Sequence, residues 1–377
     1  MKRIAVLEFI GCQDYLETTS NAIADLPVGL PVGLPVGLPV GLSAGLAIAS
    51  SQNRNDQAEN QELLREGDAM LLAVAMEWIQ SHGAEVHCCR HPALNMPSNN
   101  KALLKGDSKL LDKIQWHFIR PGEQYLNEWL RVAQMCGRAL VIAPEIDNAL
   151  LNATRFLRSH GVDLVNASDE FITTASDKWL TALQWQEHSI RQPTTKLLCR
   201  SLLQDSAVIN VMDSECTAWV VKPRDGVGGI GVRRFSRFSD SVSWARRFTG
   251  DFNRLLLQQW MPGRTASIAL VFLEDGSTKF SPVRDQFLTE SKSSIGDIQW
   301  TELGYLGSGK PWPYEHQKVA ESFARAAISA IPGNLRGWIG LDFLCDGSPT
   351  DINSYIAIEV NPRLTSSYCF GESESTF

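Results

Sequence analysis

Two segments near the C-terminus, GWIGLDFL at 337–344 and YIAIEVNPRLTSSY at 355–368, place carboxylates where they could hold a cation. Both read as strands from their apolar content, and side chains alternate along a strand, so Glu359 and Asn361 are expected to share a face. If the two strands pair antiparallel, Asp342 joins them. Two carboxylates and one amide oxygen, completed by phosphate oxygens, make a shell suited to Mg²⁺ or Mn²⁺. Alternation further predicts Ile356, Ile358 and Val360 on one face, with Ala357 beside Glu359 on the other. Little of that strand looks solvated, and a buried acid needs a partner.

A second stretch suggests where the phosphate would come from. WVVKPRDGVGGIGVRRF at 219–235 contains GxGxxG at Gly226, Gly228 and Gly231, with Gly229 between them. A dinucleotide fingerprint needs strand, glycine turn and then helix, so that pyrophosphate meets the helix N-terminus. Here the residues after Gly231 are β-like and basic. A Walker A loop would place Lys and then Ser or Thr after its last glycine, and Val232 stands there instead. The pattern fits a strand–loop–strand hairpin whose backbone amides cover nucleotide phosphates, with Lys222 on the incoming strand able to reach the same phosphates. Protein kinases also use a glycine hairpin, but the sequence has no HRD or DFG, and Asp342-Phe343 is followed by Leu344.

These residues need a frame. At 377 residues and 44% hydrophobic content, the chain can bury a large core over two or three domains. Its formal charge is −7 and its 35 Lys and Arg are dispersed, so the composition gives no footprint for nucleic acid. Eight cysteines form no CxxC pair, and the N-terminus lacks the order of a secretory signal, which together lead to an expected reducing cytoplasm. Leu26 to Ser50 is uncharged over a membrane-spanning length, but residues 26–41 repeat LPVG four times. Proline at every fourth position opposes a helix there, so the segment reads as a surface-loop insertion spanning about 24–57, not a membrane element.

Up to about residue 167 the chain alternates strands with helices. Strands are expected at 2–10, AEVHCC, 139–144 and 162–166, and helices at 62–82, 123–136 and 148–160, which predicts a parallel sheet covered on both faces. From 168 to 377 the texture is α+β. Strands are expected near 218–222, 231–235, 254–260, 266–273, 338–345 and 354–360, with a helix from Glu315 to Ile331.

At these motifs the chain resembles the ATP-grasp superfamily of carboxylate–amine ligases. The resemblance covers most of the chain: the α/β domain at 1–167 as a pre-ATP-grasp domain, Ser176-Asp177-Lys178, the VVKP strand and glycine flap, QQWMPG at 258–263, and the Asp, Glu-x-Asn ending. The NPRLTSSY ending, Gln286 and Gly304-Tyr305-Leu306-Gly307 look most like the subgroup that includes the tyramine–glutamate ligases of methanofuran biosynthesis and bacterial one-carbon relatives. The resemblance implies an ATP-grasp fold with a flap subdomain at about 178–260 and a metal and catalytic subdomain at about 261–377. It implies that Lys178 and Lys222 bind ATP phosphates under the Gly226, Gly228, Gly229 and Gly231 flap, and that Gln259, Trp260 and Met261 present backbone to adenine. Asp342, Glu359 and Asn361 would hold Mg²⁺ or Mn²⁺. Arg363 or Arg284 would stabilise the transferring phosphoryl group, Arg284 and Gln286 would bind a substrate carboxylate or the transferred phosphate, and Ser366, Ser367 and Tyr368 would contact substrate. ATP would phosphorylate a carboxylate, glutamate being one candidate, and an amine would attack the acyl phosphate. The partners are small molecules, without nucleic acid or membrane, and a homodimer is left open.

The sequence also departs from the family. Arg264, Thr265 and Ala266 follow the hinge glycine where many members carry a glutamate for ribose, and Gly340 replaces an arginine common two residues before the first metal carboxylate. Few residues follow Tyr368, so the acceptor side has few candidates. Gly11 and Pro144-Glu145 lie after strands of the first domain, where open α/β sheets bind ligands. The HCCRH run at 87–91 lacks a second ligand pair for zinc, and the tryptophans Trp179, Trp185 and Trp338 read as core. Two other readings stay open: a regulatory ATP-binding protein without turnover, and a small-molecule phosphotransferase.

Overall fold

A computed structural model describes residues 2–12, 54–95, 112–120, 124–199, 209, 211–212, 218–226, 228–248, 254–365 and 368. The LPVG insertion lies outside them. Five parallel strands, β1 (Arg3–Glu8), β2 (Glu85–Arg90), β3 (Ile114–Phe118), β4 (Arg138–Ile142) and β5 (Asp163–Leu164), form the first sheet in the order β3-β2-β1-β4-β5. Alternation along β1 sends Ala5 and Leu7 into one core with helices α2 (Tyr125–Cys136) and α3 (Ala149–Ser159), while Ile4 and Val6 join a second core under α1 (Arg54–His82). This is the parallel sheet covered on both faces that the strand–helix alternation predicts. Helix α1 starts at Arg54, earlier than the expected Glu62, and β3 is a strand whose five residues carry no clear period in the sequence.

The sheet order reverses between β1 and β4, and open α/β sheets bind ligands beyond the strand ends at such a point. Glu8 ends β1 there. Its carboxylate accepts the N–H groups of Ile10 at 2.8 Å and Gly11 at 2.6 Å. Burial pushes its pKa up to about 7 against those hydrogen bonds, with Asp68 raising it further and Arg90 lowering it.

Helices α4 (Asp169–Ala175) and α5 (Lys178–Glu187) lead into a ten-stranded sheet whose described pairings are all antiparallel. Its strands are β6 (Thr195–Leu197), β7 (Trp219–Pro223), β8 (Val232–Phe235), β9 (Leu255–Gln259), β10 (Arg264–Phe272), β11 (Thr278–Phe280), β12 (Arg284–Ile295), β13 (Ile298–Pro311), β14 (Gly337–Cys345) and β15 (Tyr355–Asn361). Their order is β15-β14-β10-β12-β13-β8-β7-β9-β6, with β11 paired to β10. Helix α6 (Phe238–Ala245) covers β7 and β8, with Trp219, Phe235 and Phe238 at the centre of that core. Helix α7 (Tyr314–Ser329) presses Ala320, Phe323, Ala324, Ala327 and Ile328 onto Ile339, Leu341 and Phe343 of β14. That apolar cluster continues without a break into Leu7, Trp129 and Leu157 of the first domain.

The long β12–β13 hairpin links the glycine-loop strands to the acidic strands, and its exposed residues carry no strand period in the sequence. One alternation on β15 also needs correcting. Asp342 pairs with Glu359 but Phe343 pairs with Ala357, so Ile358 is the extra residue of a β-bulge. The bulge reverses the phase, and Ala357 faces the α7 core with Val360 and Tyr355 instead of standing beside Glu359.

Candidate active site

The site begins at the helix cap of α5. Asp177 accepts the N–H groups of Trp179 and Leu180 at 2.9 and 3.3 Å, which starts the helix and fixes Lys178 in its first turn. Arg224, at the root of the glycine loop, pairs with the Asp177 carboxylate, and the Lys178 N–H donates to Arg224 O at 3.0 Å. From this position Lys178 Nζ donates to Gly226 O at 2.7 Å and lies 3.0 Å from Glu359 Oε1. One ammonium therefore ties the glycine loop to the acidic strand.

Asp342, Glu359 and Asn361 meet as paired strands require: Asp342 lies opposite Glu359, and Gly340 opposite Asn361. Asn361 Nδ2 donates to Asp342 Oδ2 at 3.1 Å, and Gln286 Nε2 donates to Asp342 Oδ1 at 2.8 Å. Burial pushes the Asp342 carboxyl up to about 7 and Glu359 adds to the rise, against the two amide donors and Arg363. Lys222 is 5% exposed. Burial lowers its ammonium to about 8; Glu359 and Asp342 oppose that shift and Lys178 adds to it. Two ammonium groups thus stand against two carboxylates.

The glycine loop joins the β7–β8 hairpin, and Gly228, Gly229 and Gly231 all have φ between +64° and +78°, which L side chains rarely adopt. A Cβ on Gly229 would meet Gly304 Cα at 3.0 Å, and Tyr305 N donates to Gly228 O at 3.2 Å. The loop therefore rests on β13, beside the cleft. At the far end of the same hairpin unit, Gln259 N donates to Thr194 O and Trp260 N to Ala218 O, so of the three hinge residues only Met261 is without such an amide contact within the described chain. The Trp260 ring is covered by the Arg234 guanidinium at 4.7 Å.

Other residues singled out from the sequence stand differently. Arg363 is close enough to lower the Asp342 pKa, but its Nε pairs with both oxygens of buried Glu145 at 2.9 and 3.1 Å. That pair clamps the C-terminal segment to the end of β4. Arg284 is buried on β12 and donates to Gly309 O at 3.0 Å, while Gln286 serves Asp342 as above. Tyr368 lies away from the acids: its hydroxyl donates to Glu77 of α1 at 2.8 Å and its ring packs edge-on to Trp338, four strand residues or about 13 Å from Asp342. Ser366 and Ser367 lie outside the described residues. His87 Nδ1 sits 2.9 Å from His117 Nε2, whereas Cys88 faces the opposite core. Among the described residues no three His, Cys, Asp or Glu side chains gather as a metal site. The donors at Asp342, Glu359 and Asn361 are two carboxylates and an amide oxygen, which suit a hard cation completed by ligand oxygens.

A parallel α/β domain, an antiparallel sheet folded round a glycine hairpin, and two lysines facing paired acids define a nucleotide-dependent enzyme fold of one kind. The chain belongs to the ATP-grasp family: residues 175–367 match the ATP-grasp domain and residues 85–172 match the pre ATP-grasp 3 domain. It is similar to the tyramine–L-glutamate ligase of Methanocaldococcus fervens, 25% identical over 229 residues, and to that of Methanocaldococcus jannaschii, 24% identical over 227 residues. Each match covers 60% of this chain, and 58% and 56% of the respective relatives, so the chain spans little over half their length. Among solved structures, a putative ATP-grasp superfamily protein from Archaeoglobus fulgidus aligns with a TM-score of 0.55 at 15% identity, over 98% of this chain and 83% of that one. N5-carboxyaminoimidazole ribonucleotide synthetase in its ADP complex aligns with a TM-score of 0.54 at 16% identity, over 82% and 73%. These two likenesses establish the fold. Among the described residues no helix is long and apolar enough to cross a membrane.

Proposed function

We propose that the protein is an ATP-dependent ligase that joins a carboxylate to an amine, with glutamate as the carboxylate and an aromatic or aliphatic amine as acceptor. The observation that carries this reading is Lys178, whose Nζ contacts both the glycine loop at Gly226 and the acid at Glu359. Phosphate covered by the loop would then lie against the acidic strands. Lys178 and Lys222 neutralise the transferring phosphoryl group, and the Gly228–Gly231 backbone excludes water from it. Asp342, Glu359 and Asn361 would hold Mg²⁺, which when bound supplies charge neutralisation between phosphate and carboxylate. The bond from the β–γ bridging oxygen to the γ-phosphorus breaks as a carboxylate oxygen bonds to that phosphorus. The amine nitrogen then bonds to the acyl carbon, phosphate leaves, and the proton lost by nitrogen goes to the departing phosphate. A reaction that consumes ATP fits the cytoplasm expected from the cysteine usage. Glutamate and an amine are taken from the names of the two tyramine–L-glutamate ligases, 25% and 24% identical to this chain.

The test is to mix the protein with ATP, Mg²⁺, L-glutamate and a panel of amines and to measure ADP and phosphate. ADP release that requires both carboxylate and amine, with a product whose mass is their sum less one water, supports the reading. Asp342→Asn should lower that turnover by about a hundredfold or more. Absence of substrate-stimulated ADP release from the wild-type protein overturns it, and a stable phosphorylated product in place of free phosphate would make the protein a phosphotransferase.

A further inference from the structure

Four neighbouring strands each contribute one residue to a straight row across the floor of the cleft. Glu359 of β15 pairs with Asp342 of β14, Asp342 with Ser267 of β10, and Ser267 with Arg284 of β12. Directly paired residues of antiparallel strands project from the same face. The row therefore runs carboxylate, carboxylate, hydroxyl, guanidinium, and at about 4.8 Å per strand it is roughly 14 Å long. Residues of the opposite phase point the other way, since Ala266 and Phe343 lie in the α7 core.

Ser267 is 3% exposed, and its Oγ has no hydrogen-bond partner. Its neighbour Asp342 takes its donors from Gln286 and Asn361 instead. Buried hydroxyls in folded proteins are almost always paired, so an unpaired one facing a cleft points to a group that arrives later. Packing gives no reason for it either: Ala269, the next residue of β10 on the same face, is buried and apolar, and an alanine at 267 would fill the same space without an orphaned oxygen. Arg284, paired with Ser267 on the next strand, holds Gly309 O of β13 with one guanidinium nitrogen, and a hydroxyl donor with a guanidinium one strand away selects an anionic oxygen. The phosphate end of the row is marked by Lys178 and Lys222 at Glu359, so the Arg284 end is the place for a second anion.

We propose that Ser267 Oγ, with Arg284 beside it, binds the carboxylate of the substrate that is phosphorylated. This assignment rests on the ligase reading above. Ser267 donates one hydrogen bond to a carboxylate oxygen, and Arg284 balances the charge. The other carboxylate oxygen is then directed toward the phosphoryl group above Asp342. Ser267 is thus a substrate-binding residue on a strand otherwise given over to core.

The test compares the wild-type protein with Ser267→Ala and Ser267→Cys. Calorimetry measures ATP affinity and, in nucleotide-saturated protein, L-glutamate affinity; steady-state assays give KM for each. In both variants ATP affinity should be unchanged while glutamate affinity and KM worsen by about tenfold or more, the loss of one hydrogen bond to a charged group. Cysteine preserves the volume but donates weakly, so a Cys variant that matches wild type while Ala fails would show a packing role and overturn the proposal. It is also overturned if both variants bind glutamate like wild type, or if ATP affinity falls in step with glutamate affinity. If wild-type protein shows no carboxylate-stimulated ADP release, the ligase reading itself fails and takes this assignment with it, an outcome separate from normal turnover in all three proteins.

Discussion

Burial drives Asp342 and Lys222 toward neutrality from opposite sides, the acid up to about 7 and the ammonium down to about 8. For Asp342 the unfolded chain gives up its proton from near 3.8 while the folded protein keeps it until about 7, so ligand-free stability falls as pH rises through that window. Glu8, also raised to about 7, adds the same slope. For Lys222 the unfolded chain holds a proton up to about 10.5 that the folded protein releases near 8, so stability recovers as pH rises between them. Scanning calorimetry of the ligand-free protein should therefore find its lowest thermal midpoint between about pH 7 and 8. Asp342→Asn should flatten the acid limb, and an unchanged slope in that variant would count against the assignment. At this scale the sequence was partly legible. Glu359 and Asn361 could be placed on one face because strand alternation is local. Ser267 could not, because a serine inside RTASIALVF acquires meaning only when β14 and β12 are known to flank it in register. Arg363 was singled out by its place after Asn361, but its buried partner Glu145 lies 218 residues earlier.

Among the elements, the glycine loop owes its shape to three left-handed residues and to its seat on β13. Gly229→Ala should strain the backbone and push Gly304 away, costing about 1–2 kcal/mol locally. The KM for ATP should rise by roughly tenfold with a near-normal far-ultraviolet spectrum; a variant with wild-type ATP affinity would show that this seat is irrelevant to nucleotide. Strands β7, β10, β14 and β15 were readable from sequence because each is a compact apolar run. The β12–β13 hairpin was not, since residues 287–292 are exposed and its two bulges, between Arg284 and Gln286 and between Phe287 and Leu288, break any period of two. The bulge at Ile358 was equally hidden, because one added residue leaves composition unchanged while reversing every side chain before it.

At the scale of the whole molecule, the two domains share one apolar cluster and a tight backbone crossing. Gly337 opens β14 at φ +70°, and a Cβ there would stand 2.0 Å from Val165 O, just past β5. Gly337→Ala should thus be among the most damaging single substitutions, costing roughly 3 kcal/mol or more and lowering the urea midpoint of the entire chain in one transition. Loss of only the C-terminal domain's signal would mean that the two halves unfold independently. The order of an α/β part before an α+β part could be read from the change in texture, but not this shared core, because contacts such as that of Gly337 with Val165 join residues far apart in sequence. The unbroken ladder from β15 to β6 has a mechanical consequence. Gln259 of β9 and Asp342 of β14 are rungs of one hydrogen-bonded ribbon, with β10, β12, β13, β8 and β7 between them. A nucleotide that touched both would brace the sheet across those five strands, so its stabilising effect would fall on the ribbon as a whole and not on one hairpin.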